Sequence, residues 1–190
     1  MCSSDLISAE VTLKDWAADG SAIFYESFSP LGTDIWVLPL SGERKPYAFL
    51  KASFNEYDPR LSPDGKLLAY VSDESGRDEI YVQSYPDRNE KWQISTRGGS
   101  DPHWGAKSDE IDYLSADQQM MSVPLRRSPT IEPGTPVALF QANILFPGGQ
   151  RSHYAVTRDG QTFILYSPAA SRSLPTTTVV VNWMAEIAKR

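Results

Sequence analysis

The chain has 190 residues, 41% hydrophobic and 22% charged, with a formal net charge of −6. That balance suits a globular domain with its own core and argues against disorder. It also argues against nucleic acid as a partner, which needs clustered Lys and Arg, and no apolar run approaches the roughly 18 residues of a membrane span.

Met1 to Glu10 lack both the basic and the apolar segment of a secretory signal. Met-Cys-Ser-Ser-Asp-Leu matches what the end of a sequencing adapter would encode, read from a GTG start. Residues 1–7 are therefore expected to be a non-native or disordered tail, with the natural chain beginning further upstream. Cys2 is alone, so neither an internal disulfide nor a thiolate metal cluster can form. Ser8 to Leu13 reads either as the start of the folded part or as the outer strand of a preceding unit.

From Asp15 the chain repeats itself. Asp15-Trp16-Ala17-Ala18-Asp19-Gly20 leads into Ile23-Phe24-Tyr25-Glu26-Ser27, and Asp34 to Leu38 and Tyr47 to Leu50 read as two more strands. The second unit is the cleanest. Asp58 to Leu61 opens it, Ser62-Pro63-Asp64-Gly65 is a turn, and Lys66 to Ser72 is a strand rich in Leu, Tyr and Val. A polar hairpin loop, Asp73 to Asp78, precedes strands Glu79 to Gln83 and Lys91 to Ser95. In the third unit the turn has degraded to Ala106-Lys107-Ser108, before strands Ile111 to Ser115, Met121 to Leu125 and, after a long linker, Val137 to Gln141. The fourth, His153-Tyr154-Ala155-Val156-Thr157-Arg158-Asp159-Gly160, leads into Phe163 to Ser167 and a last strand, Thr177 to Trp183.

The turns recur at roughly 45-residue intervals with several short strands between, which is the spacing of propeller blades. The expected fold is all-β: a partial β-propeller over 8–183, with four four-stranded antiparallel blades, the last incomplete. The blades are placed at 15–50, 57–96, 101–141 and 153–183, followed by a tail at 184–190. The five Trp are expected in the core and between blades.

No Gly-x-Ser-x-Gly elbow, Walker loop, dinucleotide fingerprint or kinase catalytic loop occurs. The loop Asp73 to Glu79 fails the spacing of a Ca²⁺ site, and Arg77 would compete with the ion. No catalytic residue, metal or cofactor is assigned. His103 and His153, each near the start of a unit, read as strand-capping residues or as a pair facing the channel. In a propeller, residues that open each blade converge on the channel mouth from different repeats. A ligand site is therefore expected at Tyr57, Asp58, Arg60, Asp101, His103, Arg151 and His153. Two acids, two Arg, two His and a Tyr suit a peptide or protein tail better than a phosphate.

Leu61-Ser62-Pro63-Asp64-Gly65-Lys66-Leu67-Leu68-Ala69-Tyr70, followed by Glu79-Ile80-Tyr81-Val82, resembles the WD40-like repeat of TolB-type β-propellers. The resemblance runs from about Asp15 to Trp183; the first unit has Ala for Pro, and the third departs at Ala106-Lys107-Ser108. Val179 to Trp183 resembles the ends of propellers in multidomain bacterial proteins such as receptor serine/threonine kinases. The resemblance implies a noncatalytic module that binds proteins or peptides, with a periplasmic or extracytoplasmic setting, as a C-terminal piece of a larger protein. The alternative is a propeller accompanying a prolyl-oligopeptidase-like peptidase or another enzyme.

Overall fold

Turn chemistry sets the repeat. Ser62 Oγ donates to Asp64 Oδ1 at 2.6 Å and accepts from the amides of Lys66 and Leu67. The Gly65 amide closes the turn on the Ser62 carbonyl at 2.8 Å, with φ at 72°. The same closure joins Gly20 to Ala17, Ser108 to Gly105 and Gly160 to Thr157. Ser108 holds a φ of 60° without being glycine, at a cost of about 1 kcal/mol.

The structure, a computed structural model, describes residues 10–127, 130–144, 154–157, 160–167 and 176–181. Among these the protein is all-β, in four consecutive antiparallel sheets. Blade one is β1 (Val11–Trp16), β2 (Ala22–Ser29), β3 (Gly32–Pro39) and β4 (Tyr47–Leu50). Blade two is β5 (Glu56–Leu61), β6 (Leu67–Ser72), β7 (Glu79–Ser84) and β8 (Lys91–Gln93). Blade three has β9 (Gly99–Trp104), β10 (Glu110–Ser115) and β11 (Gln119–Arg126), then β12 (Glu132–Pro133) and β13 (Val137–Gln141), both paired with β11. Blade four comprises β14 (Tyr154–Val156), β15 (Thr162–Ser167) and β16 (Thr176–Val181).

The core lies between blades rather than inside one. Phe24, Ile35, Val37 and Phe49 of blade one meet Leu68, Tyr70 and Tyr81 of blade two. The opposite face of blade two, with Ala69, Val71, Ile80 and Val82, meets Ile111, Tyr113 and Met121. Leu114, Met120 and Leu139 meet Tyr154, Phe163 and Leu165. Strand β6 is covered on both faces and buried throughout, which is why Leu-Leu-Ala-Tyr-Val reads as a continuous apolar run. This stacking of sheet on sheet, each blade touching its neighbours, is a partial β-propeller.

Linkers are fastened by buried polar groups. Glu79 accepts from the Gly98 amide and from Arg77 Nε, both at 2.9 Å, and from Ser95 Oγ. Asn55, in the linker between blades one and two, donates to Asp73 from its amide at 2.8 Å and from Nδ2 at 2.6 Å. Linker and β6–β7 hairpin thus share one end of the blades.

The structure adjusts three expectations. Strand β1 begins at Val11 and pairs with β2, Val11 opposite Ser27, so Val11 to Leu13 belong to blade one and not to a preceding outer strand. The long linker in blade three carries the short strand β12. Trp16 is 63% exposed, so it is not a core residue; Trp183 lies outside the described residues.

Candidate functional site

The first strands of blades one to three are irregular. Strand β1 slips register against β2 between Leu13 and Asp15, β5 against β6 between Tyr57 and Arg60, and β9 against β10. Such bulges re-aim side chains that a regular ladder would hold in the sheet's pattern. In blades two and three the bulge carries an Asp before a Pro. Asp58 and Asp101 have φ values of 49° and 54°, a left-handed backbone that a residue with a Cβ keeps only when its surroundings hold it. Both are buried. Both bulges lie within the strand that opens the blade.

Around them the inner strands of separate repeats meet. Lys14 Nζ donates to Asp58 Oδ1 at 2.6 Å and lies 3.4 Å from Glu26 Oε1. The Asp58 amide donates to Glu26 Oε1 at 2.7 Å. Arg60 Nη1 donates to the Lys14 carbonyl at 2.6 Å, and the Leu61 amide to Asp15 Oδ2 at 2.7 Å. Trp104 Nε1 donates to the Arg60 carbonyl at 2.8 Å. His103 Nδ1 is 3.2 Å from the Asp101 carbonyl, and its ring lies 4.4 Å, centroid to centroid, from that of Tyr154.

Burial dominates the electrostatics. Asp58 is pushed up to about 6 by desolvation, opposed by Lys14. Asp112, opposite both His103 and Ser122 in the β10 ladders, is pushed up to about 7 by burial and by the nearby Glu110 charge. Asp15 is raised by burial. Burial lowers His103 despite the neighbouring Asp101, so its imidazole is neutral at pH 7. The Tyr154 hydroxyl is raised far out of range by burial and by Asp101 and Asp112. Asp112 Oδ1, Ser122 Oγ and the Tyr154 hydroxyl are buried without a hydrogen-bond partner among the described residues.

Of the expected site residues, Asp58, Arg60, Asp101 and His103 fall in this one network. Tyr57 is half-buried beside them and packs on the core between blades two and three. Arg151 and His153 lie outside the described residues. The register places Ala155, not His153, at the blade-four position of His103: Ala155 pairs with Ile164 as His103 pairs with Asp112. Sequence reasoning missed Lys14, Asp15, Glu26, Asp112 and Tyr154. Two of these left a signal: Glu26 is the single charge in β2, and Asp112 sits between Ile111 and Tyr113 in β10, two positions after Glu110. No group of three or more His, Cys, Asp and Glu able to hold a metal ion occurs among the described residues. The arrangement offers carboxylates, a guanidinium, an ammonium and a neutral imidazole for hydrogen bonding.

No protein-family model matches the chain, and no curated protein matches its sequence. Solved structures match in fold. TolB from Acinetobacter baumannii aligns with a TM-score of 0.66 at 18% identity, over 92% of this chain and 41% of that one. An oligogalacturonate lyase in complex with manganese aligns at 0.63 and 16%, over 90% and 48%. A prolyl endopeptidase aligns at 0.56 and 12%, over 91% and 28%. The chain thus spans less than half the length of each. At these identities the likeness establishes the fold alone, a TolB-like β-propeller that TolB shares with a lyase and an endopeptidase.

Proposed function

We propose that this chain is a noncatalytic propeller module that binds a protein or peptide through the inner ends of its blades. The observation that carries the reading is the pair of bulged, left-handed Asp residues, Asp58 and Asp101, repeated in successive blades. Strained backbone held by its surroundings clusters at ligand-facing sites, and here it recurs at the same inner-strand position of two successive blades. Their network supplies donors and acceptors from three repeats without a nucleophile paired to a base. His103 Nδ1 is already engaged by Asp101, and no Ser or Cys hydrogen-bonds the ring among the described residues. Arg151 and His153 are assigned to the same mouth, as are Tyr57 and Arg60. The protein- and peptide-binding role implied by the TolB resemblance agrees with this chemistry, and the same resemblance points to an extracytoplasmic setting. No helix long and apolar enough to cross a membrane occurs among the described residues.

A peptide array probed with the purified chain tests the reading. Asp101→Ala, His103→Ala and Arg60→Gln should each weaken any selected peptide by about tenfold or more, the scale of a lost charge-assisted contact. Circular dichroism separates lost binding from lost fold. Unchanged affinity in all three would place the site elsewhere. The likeness to a prolyl endopeptidase supports a second reading, a propeller serving an enzyme. Peptide hydrolysis by the pure chain would end the noncatalytic reading.

A further inference from the structure

A cavity of about 230 Å³ opens between blades two and three, away from the inner-strand network. Its floor is the cross-strand pair Tyr113 and Met121, both buried. Ala116 of the β10–β11 hairpin and Pro136 add apolar wall. The linker residue Gly98, at φ 90°, closes one side. A Cβ there would sit 2.7 Å from the Ala116 Cβ, so only glycine lets linker and hairpin meet.

Two opposite charges border this floor. Arg97 makes no hydrogen bond or ion pair with the described residues. The Asp117 carboxylate takes one hydrogen bond, from Ser115 Oγ to Oδ1 at 2.5 Å, and its Oδ2 takes none among the described residues. Tyr113 is only 4% exposed, lines the cavity, and its hydroxyl has no hydrogen-bond partner among the described residues. Arg97 and Asp117 both line the same cavity as Tyr113. The volume is below the roughly 300–1,000 Å³ of pockets for drug-sized ligands. Opposite charges that sum to zero disfavour a phosphate or a polycation. They suit a small molecule that carries both signs at one end and an apolar body at the other.

We propose that this cavity binds an apolar α-amino acid as the free zwitterion. Its carboxylate meets Arg97, its ammonium meets Asp117 Oδ2, and its side chain rests on Tyr113 and Met121. The inference shares no residue with the inner-strand site and stands independently of it.

Calorimetric titration of the full chain with leucine, methionine and phenylalanine tests it, beside their N-acetyl amides, glycine and lysine. The apolar zwitterions should bind, with the capped forms and glycine about tenfold weaker or more. Arg97→Gln and Asp117→Asn are surface changes that leave the fold intact, and each should cost a similar factor. Met121→Trp should fill the cavity and abolish binding; circular dichroism verifies its fold, and the two surface variants decide the matter if it fails to fold. Equal binding of capped and free forms, binding that survives both charge substitutions, or no binding at low-millimolar concentration would each overturn the proposal.

Discussion

Buried carboxyls make this protein sensitive to pH. Glu56 and Asp112 are each pushed up to about 7, and Asp58 to about 6, chiefly by burial. In the unfolded chain such groups titrate near 4. Between roughly pH 4 and 7 the folded state therefore holds protons that the unfolded state has lost. Stability is fullest at the acidic end of that window and falls as pH rises through it. Asp112 lies opposite Ser122, with Oδ1 unpartnered, so ionising it places a charge where little compensates it. Thermal unfolding should show a higher midpoint at pH 5 than at pH 8. Asp112→Asn should flatten that slope and raise stability at pH 8 by on the order of 2 kcal/mol. A midpoint that rises with pH would show that Lys14 and Arg60, rather than burial, govern these carboxyls.

At the scale of the strand and turn, the architecture was readable and the site was not. The Ser62-Pro63-Asp64-Gly65 turn is written in four adjacent residues, and the apolar run of β6 in the next few, so local chemistry suffices to find them. Gly65 has φ 72° with open space where a Cβ would stand. The obstacle to a side chain there is conformational, and Gly65→Val should lower stability by about 1 kcal/mol or more. An unchanged denaturant midpoint would refute that account of the turn. The bulge at Asp58 depends instead on what the neighbouring blade supplies. Glu26 receives the Asp58 amide across 32 positions and Lys14 reaches Asp58 across 44. No short window of sequence contains both partners, which is why the bulge at Asp58 was not legible in the sequence. Blade three shows the converse, for its degraded turn keeps its geometry because Ser108 adopts the glycine conformation.

At the scale of the whole molecule, the blades form an arc in which each sheet is covered by its neighbour's face. Strand β1, at the start of that arc, is the exception. Its Leu13 is 70% exposed and its Trp16 63%, with Val11 beside them at 46%. Three large apolar side chains on one strand form the kind of contiguous patch that drives association. Elsewhere, a blade meets its neighbour through side chains of this type, as Phe24 and Phe49 meet Leu68 and Tyr70. The face of β1 therefore has the chemistry of an inter-blade contact. In solution the 190-residue chain should self-associate as its concentration rises, each copy covering this patch on another. Leu13→Lys and Trp16→Lys should return it towards the monomer, since both side chains already face solvent and the changes leave the three cores between blades intact. Sedimentation velocity across a concentration series reads the outcome. A wild-type chain that stays monomeric at the highest concentration tested, or variants that associate as strongly as wild type, would show that the β1 patch is not a contact surface.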